Sequence, residues 1–209
     1  MDVQNFWVFA LTALLLNLTP GNDMIYVASR TAGQGVRAGI VSALGIMGGC
    51  FVHMLAAVAG LSAIIAQSAL AFDIIKYTGA VYLIYLGIRT LTGKKKKFTI
   101  SGISEISSYK KIFWQGVVTN VLNPKVALFF LAFLPQFIDL DSARTSLQIL
   151  FLGIWFNMSG TIVNIIAAIL LGKISSWLSN SPGFIQWQER VSGMLLIGLG
   201  IKVALTKPS

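Results

Sequence analysis

Charge is what this sequence has least of. Only 11% of its 209 residues are Asp, Glu, Lys or Arg, where a soluble domain carries about a quarter. Hydrophobic residues make up 56%, and the mean hydropathy is +0.78. Such a chain has too little polar surface to face water, so an integral membrane protein with almost no extramembrane domain is expected. Cysteine is nearly absent as well. Cys50 stands alone in an apolar stretch, which excludes an internal disulfide and thiol-based redox chemistry. There is one histidine, His53, and no credible metal-ligand cluster, phosphate-binding glycine loop or nucleophile–base pair is visible, so no cofactor is called for. Without a nucleotide site, any uphill transport has to use an ion gradient. Acids are scarcer than bases, seven Asp and Glu against sixteen Lys and Arg, for a net charge of +9. The bases fall between apolar runs and not along one polar face, which fits loops on the inner side of a membrane and argues against nucleic acid. The N-terminus, Met1-Asp2, lacks the basic residues of a signal peptide and the first apolar run lacks a small-residue cleavage site. That run is expected to stay as a membrane helix.

Long apolar runs are what the sequence has in abundance. A span needs roughly 20 such residues, and six stretches qualify: 5–30, 37–67, 71–92, 110–138, 145–171 and 184–205. Glu189, Arg190 and Lys202 weaken the last. The expected fold is an all-α integral membrane protein, a single transmembrane domain over 1–209. Arg30 and Arg37 mark the first loop. Lys94 to Lys97 with Lys110 and Lys111 mark the third, within a basic loop over 93–109, and Lys173 with Arg190 mark the fifth. The alternate loops balance Asp73 against Lys76, and Asp139 and Asp141 against Arg144. The odd loops are therefore expected in the cytoplasm and both termini outside, with Lys202 and Lys207 speaking against it. The Lys94–Lys97 run also suits anionic lipid or a tether.

An internal repeat is expected. Leu83-Ile84-Tyr85-Leu86-Gly87-Ile88-Arg89 aligns with Leu196-Ile197-Gly198-Leu199-Gly200-Ile201-Lys202, Leu44-Gly45-Ile46 with Leu152-Gly153-Ile154, and Pro20 with Pro124. This divides the chain into repeat 1 over about 1–92 and repeat 2 over about 110–205. Three spans per repeat is an odd number, so the two would be inverted.

Helices 1 and 4 of that scheme are broken at prolines. Asn17-Leu18-Thr19-Pro20-Gly21-Asn22-Asp23 and Asn120-Val121-Leu122-Asn123-Pro124-Lys125 each put a helix breaker and then a charge inside an apolar run. At 1.5 Å per residue, both breaks lie about 21–22 Å into their spans. Backbone freed there is tolerated only beside protein or a polar cavity, and a charge at that depth marks a functional site by default. Asn22 or Asp23 suits the cap of the half-helix after Gly21, and Asn123 the cap before Pro124. Lys125 then sits at the positive end of a half-helix and needs an anionic partner, either Asp23 or a substrate carboxylate. Asp23 needs a cation, whether Lys125, an ammonium or a proton. Opposite charges on opposed breaks suit a zwitterion, although the two side chains could also simply pair, or Lys125 could snorkel. Asn17, Asn120, Asn157 and Asn164 either line a path or join helices. His53 is either a proton relay or a satisfied core histidine. The glycines at 39, 45, 48 and 49 suit close helix packing.

With these residues in view, the chain resembles the lysine exporter / homoserine–threonine exporter (LysE/RhtB) family of amino-acid translocators. The motifs that carry the resemblance are Leu18-Thr19-Pro20-Gly21-Asn22-Asp23-Met24, followed by Arg30 and Gln34-Gly35, and the stretch from Gly116 to Phe137. The resemblance implies a six-span inner-membrane exporter of amino acids or related small metabolites, driven by the proton gradient, with both proline motifs at the translocation site. Many members carry a second proline after the glycine where this chain has Asn22, so no particular substrate is carried over. Disulfide-electron carriers of the same superfamily need a cysteine pair that this chain lacks. On this reading Asp23 binds an ammonium or the coupling proton, Lys125 the carboxylate, and His53 assists the proton. The partners are then the amino acid, protons and membrane lipid, with the oligomeric state open and a homodimer compatible. An alternative is a membrane-embedded enzyme on a small metabolite or lipid, but it would need an acid–base pair or nucleophile near one surface. Another alternative, a non-transporting scaffold, would leave the charged breaks unexplained.

Overall fold

The computed structural model describes residues 3, 5–67, 69–92, 106–139, 142, 144–179 and 182–205, with side chains of 61–72, 75, 172–179, 182–189 and 192 excepted. The Lys94–Lys97 run, Asp141 and Lys207 lie outside the described residues, as do the side chains of Lys173 and Glu189. Every regular element described is helical. In chain order these are α1 (Phe6–Leu18), α2 (Asn22–Gln34), α3 (Val36–Gln67), α4 (Ala69–Thr92), α5 (Tyr109–Val121), α6 (Pro124–Leu128), α7 (Thr145–Ser179) and α8 (Pro182–Leu205). A π-helical turn, Phe129–Phe133, and a 3₁₀ turn, Leu134–Phe137, follow α6.

Both expected breaks are present. α1 closes with the Thr19 N–H on the Leu15 and Leu16 carbonyls, each at 3.1 Å. Pro20 has no N–H to continue the ladder, Gly21 is extended, and α2 starts at Asn22, bent 46° from α1. In the second half Asn123 caps α6, its Oδ1 accepting the Lys125 N–H at 3.1 Å, with Pro124 at the first helical position. α5 and the segment after it meet at 47°. Pro135 lacks the donor an α-helix would use at that point, which accounts for the tightening into a 3₁₀ turn. α2 runs past Arg30 to Gln34 and stops at Gly35, whose φ of +83° favours glycine. Arg30, expected in a loop, therefore sits inside a helix at 5% exposure.

Among the described residues, Val36–Gly60 and Thr145–Leu171 are each long and apolar enough to cross a membrane, and the two bent pairs raise the number to four. α8 keeps a shorter apolar stretch, Gly193–Leu205. α4 carries an ion pair within its own turn, Lys76 to Asp73 at 3.3 Å, where the sequence suggested a balanced loop.

Glycines set the closest helix contacts. α3 lies on α5 where a Cβ on Gly45 would collide with the Phe113 carbonyl, and one on Gly49 would lie 2.6 Å from the Val117 carbonyl oxygen. α4 crosses α8 in the same manner. A Cβ on Gly87 would lie 2.6 Å from Gly193 O and 2.9 Å from Ile197 N, and one on Gly200 would lie 2.6 Å from Ala80 O and 3.1 Å from Ile84 N. Leu91 meets Gly193, Gly87 meets Ile197, and Ile84 meets Gly200, so the two helices run antiparallel. One constant step in sequence carries Ala80, Ile84 and Gly87 onto Gly193, Ile197 and Gly200, and it exchanges the two sets of contacts.

The main core is aromatic. Phe9 of α1, Phe129, Phe133 and Phe137 beyond the second break, and Phe156 of α7 are all buried in one cluster. Phe129 stacks on Phe156 with ring centroids 4.0 Å apart, and Phe9 meets Phe137 edge-on at 5.3 Å.

Candidate functional site

The two breaks converge. Lys125, on the first turn of α6, reaches the end of α1, where its Nζ donates to the Thr19 carbonyl at 2.9 Å and the Leu16 carbonyl at 3.1 Å. Because Pro20 offers no N–H, the Leu16 carbonyl keeps only the closing bond from the Thr19 N–H, and both carbonyls lie at the negative end of the α1 dipole. The anionic partner expected for Lys125 is thus supplied by backbone. Gly21 makes the approach feasible, since a Cβ there would already stand 3.3 Å from Nζ. An ammonium carries three donors, two of which are used.

Asp23 lies on the first turn of α2, whose N-cap is Gly21, with no side-chain cap. Neither Asn22 nor Asp23 caps the helix as the sequence suggested. One carboxylate oxygen of Asp23, Oδ2, accepts from Asn120 Nδ2 at 2.8 Å. The other, Oδ1, is buried and has no hydrogen-bond partner. Asp23 and Lys125 do not form an ion pair; the ion pair among the described residues is Lys76–Asp73.

Both charges line one cavity of about 30 Å³, together with Asn17, Thr19, Gly21, Asn120, Asn157, Thr161 and Asn164 on its polar side and Met24, Ile46, Cys50, Val126 and Phe156 on its apolar side. That is room for about two water molecules. Asn157, Thr161 and Asn164 recur on one face of α7, and all three are buried. Asn17 ties α1 to α7 by donating to the Phe156 carbonyl at 3.1 Å and to Ser159 Oγ at 3.0 Å, and Asn157 donates to the Met47 carbonyl at 3.2 Å. These two asparagines both line the cavity and join helices.

Three expected site residues stand elsewhere. Asn22 is exposed on the outside of its turn. Asn123 does not line the cavity: it is buried as the α6 cap, with its Nδ2 beside the Asp23 carboxylate but in no hydrogen bond. His53 stacks on Phe130 and stands behind Asn120, whose carbonyl takes a hydrogen bond from His53 Nε2 at 2.9 Å. A carbonyl only accepts, so Nε2 carries the proton. Pro20 and Pro124 shape the breaks without lining the cavity.

A second polar group was not anticipated as such. The seam between α2 and α5, on the far side of Asp23 from α1, is closed by Tyr26, Arg30, Gln34 and Gln115. The Tyr26 hydroxyl donates to the Ile112 carbonyl at 2.8 Å, and Arg30 donates to Gln115 and to Gln34. Gln34 in turn exchanges two hydrogen bonds with the Ser107 backbone. The available signal was Arg30 falling seven residues, about two turns, after Asp23 on the same helix.

The sequence model of the LysE type translocators matches residues 14–207. A membrane protein of Bacillus subtilis named YrhP and described as uncharacterized is 30% identical over 203 residues, which cover 93% of this chain and 95% of that protein. Leucine efflux proteins of Salmonella choleraesuis and of an Enterobacter species are each 28% identical, covering 97% of this chain and 95% and 96% of their own lengths. No solved structure matches.

Proposed function

Because this chain belongs to the LysE type translocator family, and is thereby a transporter and not an enzyme, we propose that it exports amino acids, with a neutral aliphatic amino acid such as leucine as the first substrate to test. The leucine efflux proteins among its relatives support that choice, as do the apolar wall residues Met24, Ile46, Val126 and Phe156. The observation that carries the reading is the buried, partnerless Oδ1 of Asp23 sharing one cavity with the Lys125 ammonium. The substrate ammonium binds Asp23, and the substrate carboxylate takes the third donor of Lys125. A cavity of about 30 Å³ has room for about two waters and not for leucine, so loading requires the surrounding helices to part.

Six spans in two inverted repeats, with both termini outside and the odd loops in the cytoplasm of the cell's inner membrane, form the scaffold of this proposal. The exchange-symmetric, antiparallel α4–α8 contact supports it, as do the near-equal bends of 46° and 47° at Pro20 and Pro124. Asp23 carries the coupling proton when the ammonium is absent, and His53 holds Asn120 in place against it. The test is a counterflow screen of amino acids in proteoliposomes, with and without a pH gradient. Saturable leucine exchange that a gradient makes concentrative is expected. Exchange that ignores the gradient would remove the proton coupling, and no exchange of any amino acid would remove the transport reading.

A further inference from the structure

Arg30 is 5% exposed, yet among the described residues no carboxylate pairs with it. A buried guanidinium normally finds an anion, because its desolvation is costly. Here it is held by neutral groups alone. Nη1 donates to Gln34 Oε1 at 3.1 Å, Nη2 donates to Gln115 Oε1 at 2.5 Å, and the Tyr26 ring lies 5.7 Å away. Nε is buried and makes no hydrogen bond, and the Tyr26 hydroxyl stands beside the guanidinium. The bare Nε and Nη2 form the side-on fork of the guanidinium, the pair of donors that a carboxylate grips with two parallel hydrogen bonds. One tooth of that fork is empty and the other is occupied by an amide oxygen, a weaker acceptor than a carboxylate.

The same bonds hold a seam shut. Arg30 to Gln115 joins α2 to α5, and Gln34 to Ser107 joins the end of α2 to the residues just before α5. α2 and α5 run antiparallel here, with Asp23 meeting Asn120 at the cavity end and Arg30 meeting Gln115 further along.

We infer that Arg30, with Gln34 and Gln115, is an intake site for the substrate's carboxylate, and that the carboxylate opens the α2–α5 seam by replacing Gln115 on the Arg30 fork. This rests on the transport reading above and extends it to a second binding position, about two helical turns from Asp23. The substrate then moves along α2 until its ammonium meets Asp23, and the amides close behind it.

The experiment is leucine exchange measured separately from each face, in right-side-out and inside-out membrane vesicles, for the wild type, Arg30→Gln and Gln115→Glu. The probes are L-leucine and 3-methylbutylamine, which keeps the side chain and the amine but has no carboxylate. Arg30→Gln is expected to raise the half-saturating leucine concentration about tenfold or more on the Arg30 face, as befits lost charge-assisted hydrogen bonds. The opposite face should change by less than about twofold, and inhibition by the amine should not change. Gln115→Glu, nearly isosteric, puts a resident carboxylate on the fork and is expected to slow exchange and raise half-saturation on the same face. Equal shifts on both faces, or wild-type kinetics in Gln115→Glu, would overturn the intake site while leaving transport intact. Absence of exchange of every amino acid by the wild type would remove both readings, and if another amino acid exchanges where leucine does not, that amino acid and its decarboxylated amine replace the two probes.

Discussion

The α4–α8 contact makes a quantitative demand. If a local two-fold relates the two helices, then Gly87→Ala and Gly200→Ala are the same perturbation made twice. Each new methyl would arrive 2.6 Å from a carbonyl oxygen of the opposing helix, with an isoleucine Cγ1 at 2.6 and 2.7 Å and its backbone nitrogen at 2.9 and 3.1 Å. Backbone cannot rotate away, so the helices must part by roughly 0.5 Å or more before contacts return to their optimum. Overpacking of this kind costs about 1–3 kcal/mol, against which alanine returns up to about 1 kcal/mol of helix propensity. The net expected loss is about 1–2 kcal/mol for each variant, or about 2–8 °C in melting temperature for a chain of this size. Gly198 is the control: it lies in the same helix, and a Cβ there meets nothing within 4 Å, so Gly198→Ala should be neutral or slightly stabilising. Thermal unfolding of the purified protein in detergent, followed by loss of the monodisperse peak, reads all three. A large drop for one of Gly87→Ala and Gly200→Ala with none for the other would refute the two-fold. A drop for Gly198→Ala as large as for Gly200→Ala would refute the packing argument itself.

The remaining expectations concern the site. Asp23→Asn keeps the shape and the Asn120 contact but removes the charge; leucine counterflow should fall by at least about a hundredfold, as for loss of a buried charge pairing, with membrane levels and melting temperature close to wild type. Lys125→Met removes two charge-assisted bonds from the end of α1, so it should lower stability by about 2–4 kcal/mol as well as abolish exchange, and denaturation in detergent would show the difference from Asp23→Asn. His53→Gln can keep a donor on the Asn120 carbonyl and should retain both exchange and its response to a pH gradient. If gradient-driven uptake vanished there while exchange survived, His53 would be a proton relay and not a support for Asn120.

Much of this was readable beforehand for identifiable reasons. Pro20 and Pro124 act on their own backbone, so the breaks and the Asn123 cap followed from local chemistry. The glycines predicted tight packing because only a missing Cβ lets backbones approach so closely. What was not readable depends on where side chains travel. Lys125 could be seen to need negative charge, but that the need is met by the Leu16 and Thr19 carbonyls depends on α1 ending beside α6, a contact between residues more than a hundred positions apart. Arg30 looked like loop charge because basic residues near span ends usually are; only the continuation of α2 to Gly35 turns it inward. Asn22 looked like a cap because asparagine so often is one, yet the extended residue before α2 is Gly21, which leaves Asn22 on the outer surface.

Different chemistry lies beyond the two breaks that flank the cavity, and on the proposed reading this bears on direction. Past one break, Phe9, Phe129, Phe133, Phe137 and Phe156 form an apolar plug; past the other, amides and a guanidinium form a hydrogen-bonded seam. A carboxylate can take the place of an amide oxygen on Arg30, whereas it offers nothing to phenylalanine rings, so the proposed intake belongs to the seam. Such an intake would lower half-saturation on one face and fix no net direction, because binding that favours one state must be repaid on leaving it. Net export therefore has to come from a second ligand that tells the faces apart. On the proposed reading that ligand is the proton, taken up by the Asp23 oxygen that lacks a hydrogen bond in exchange for the ammonium.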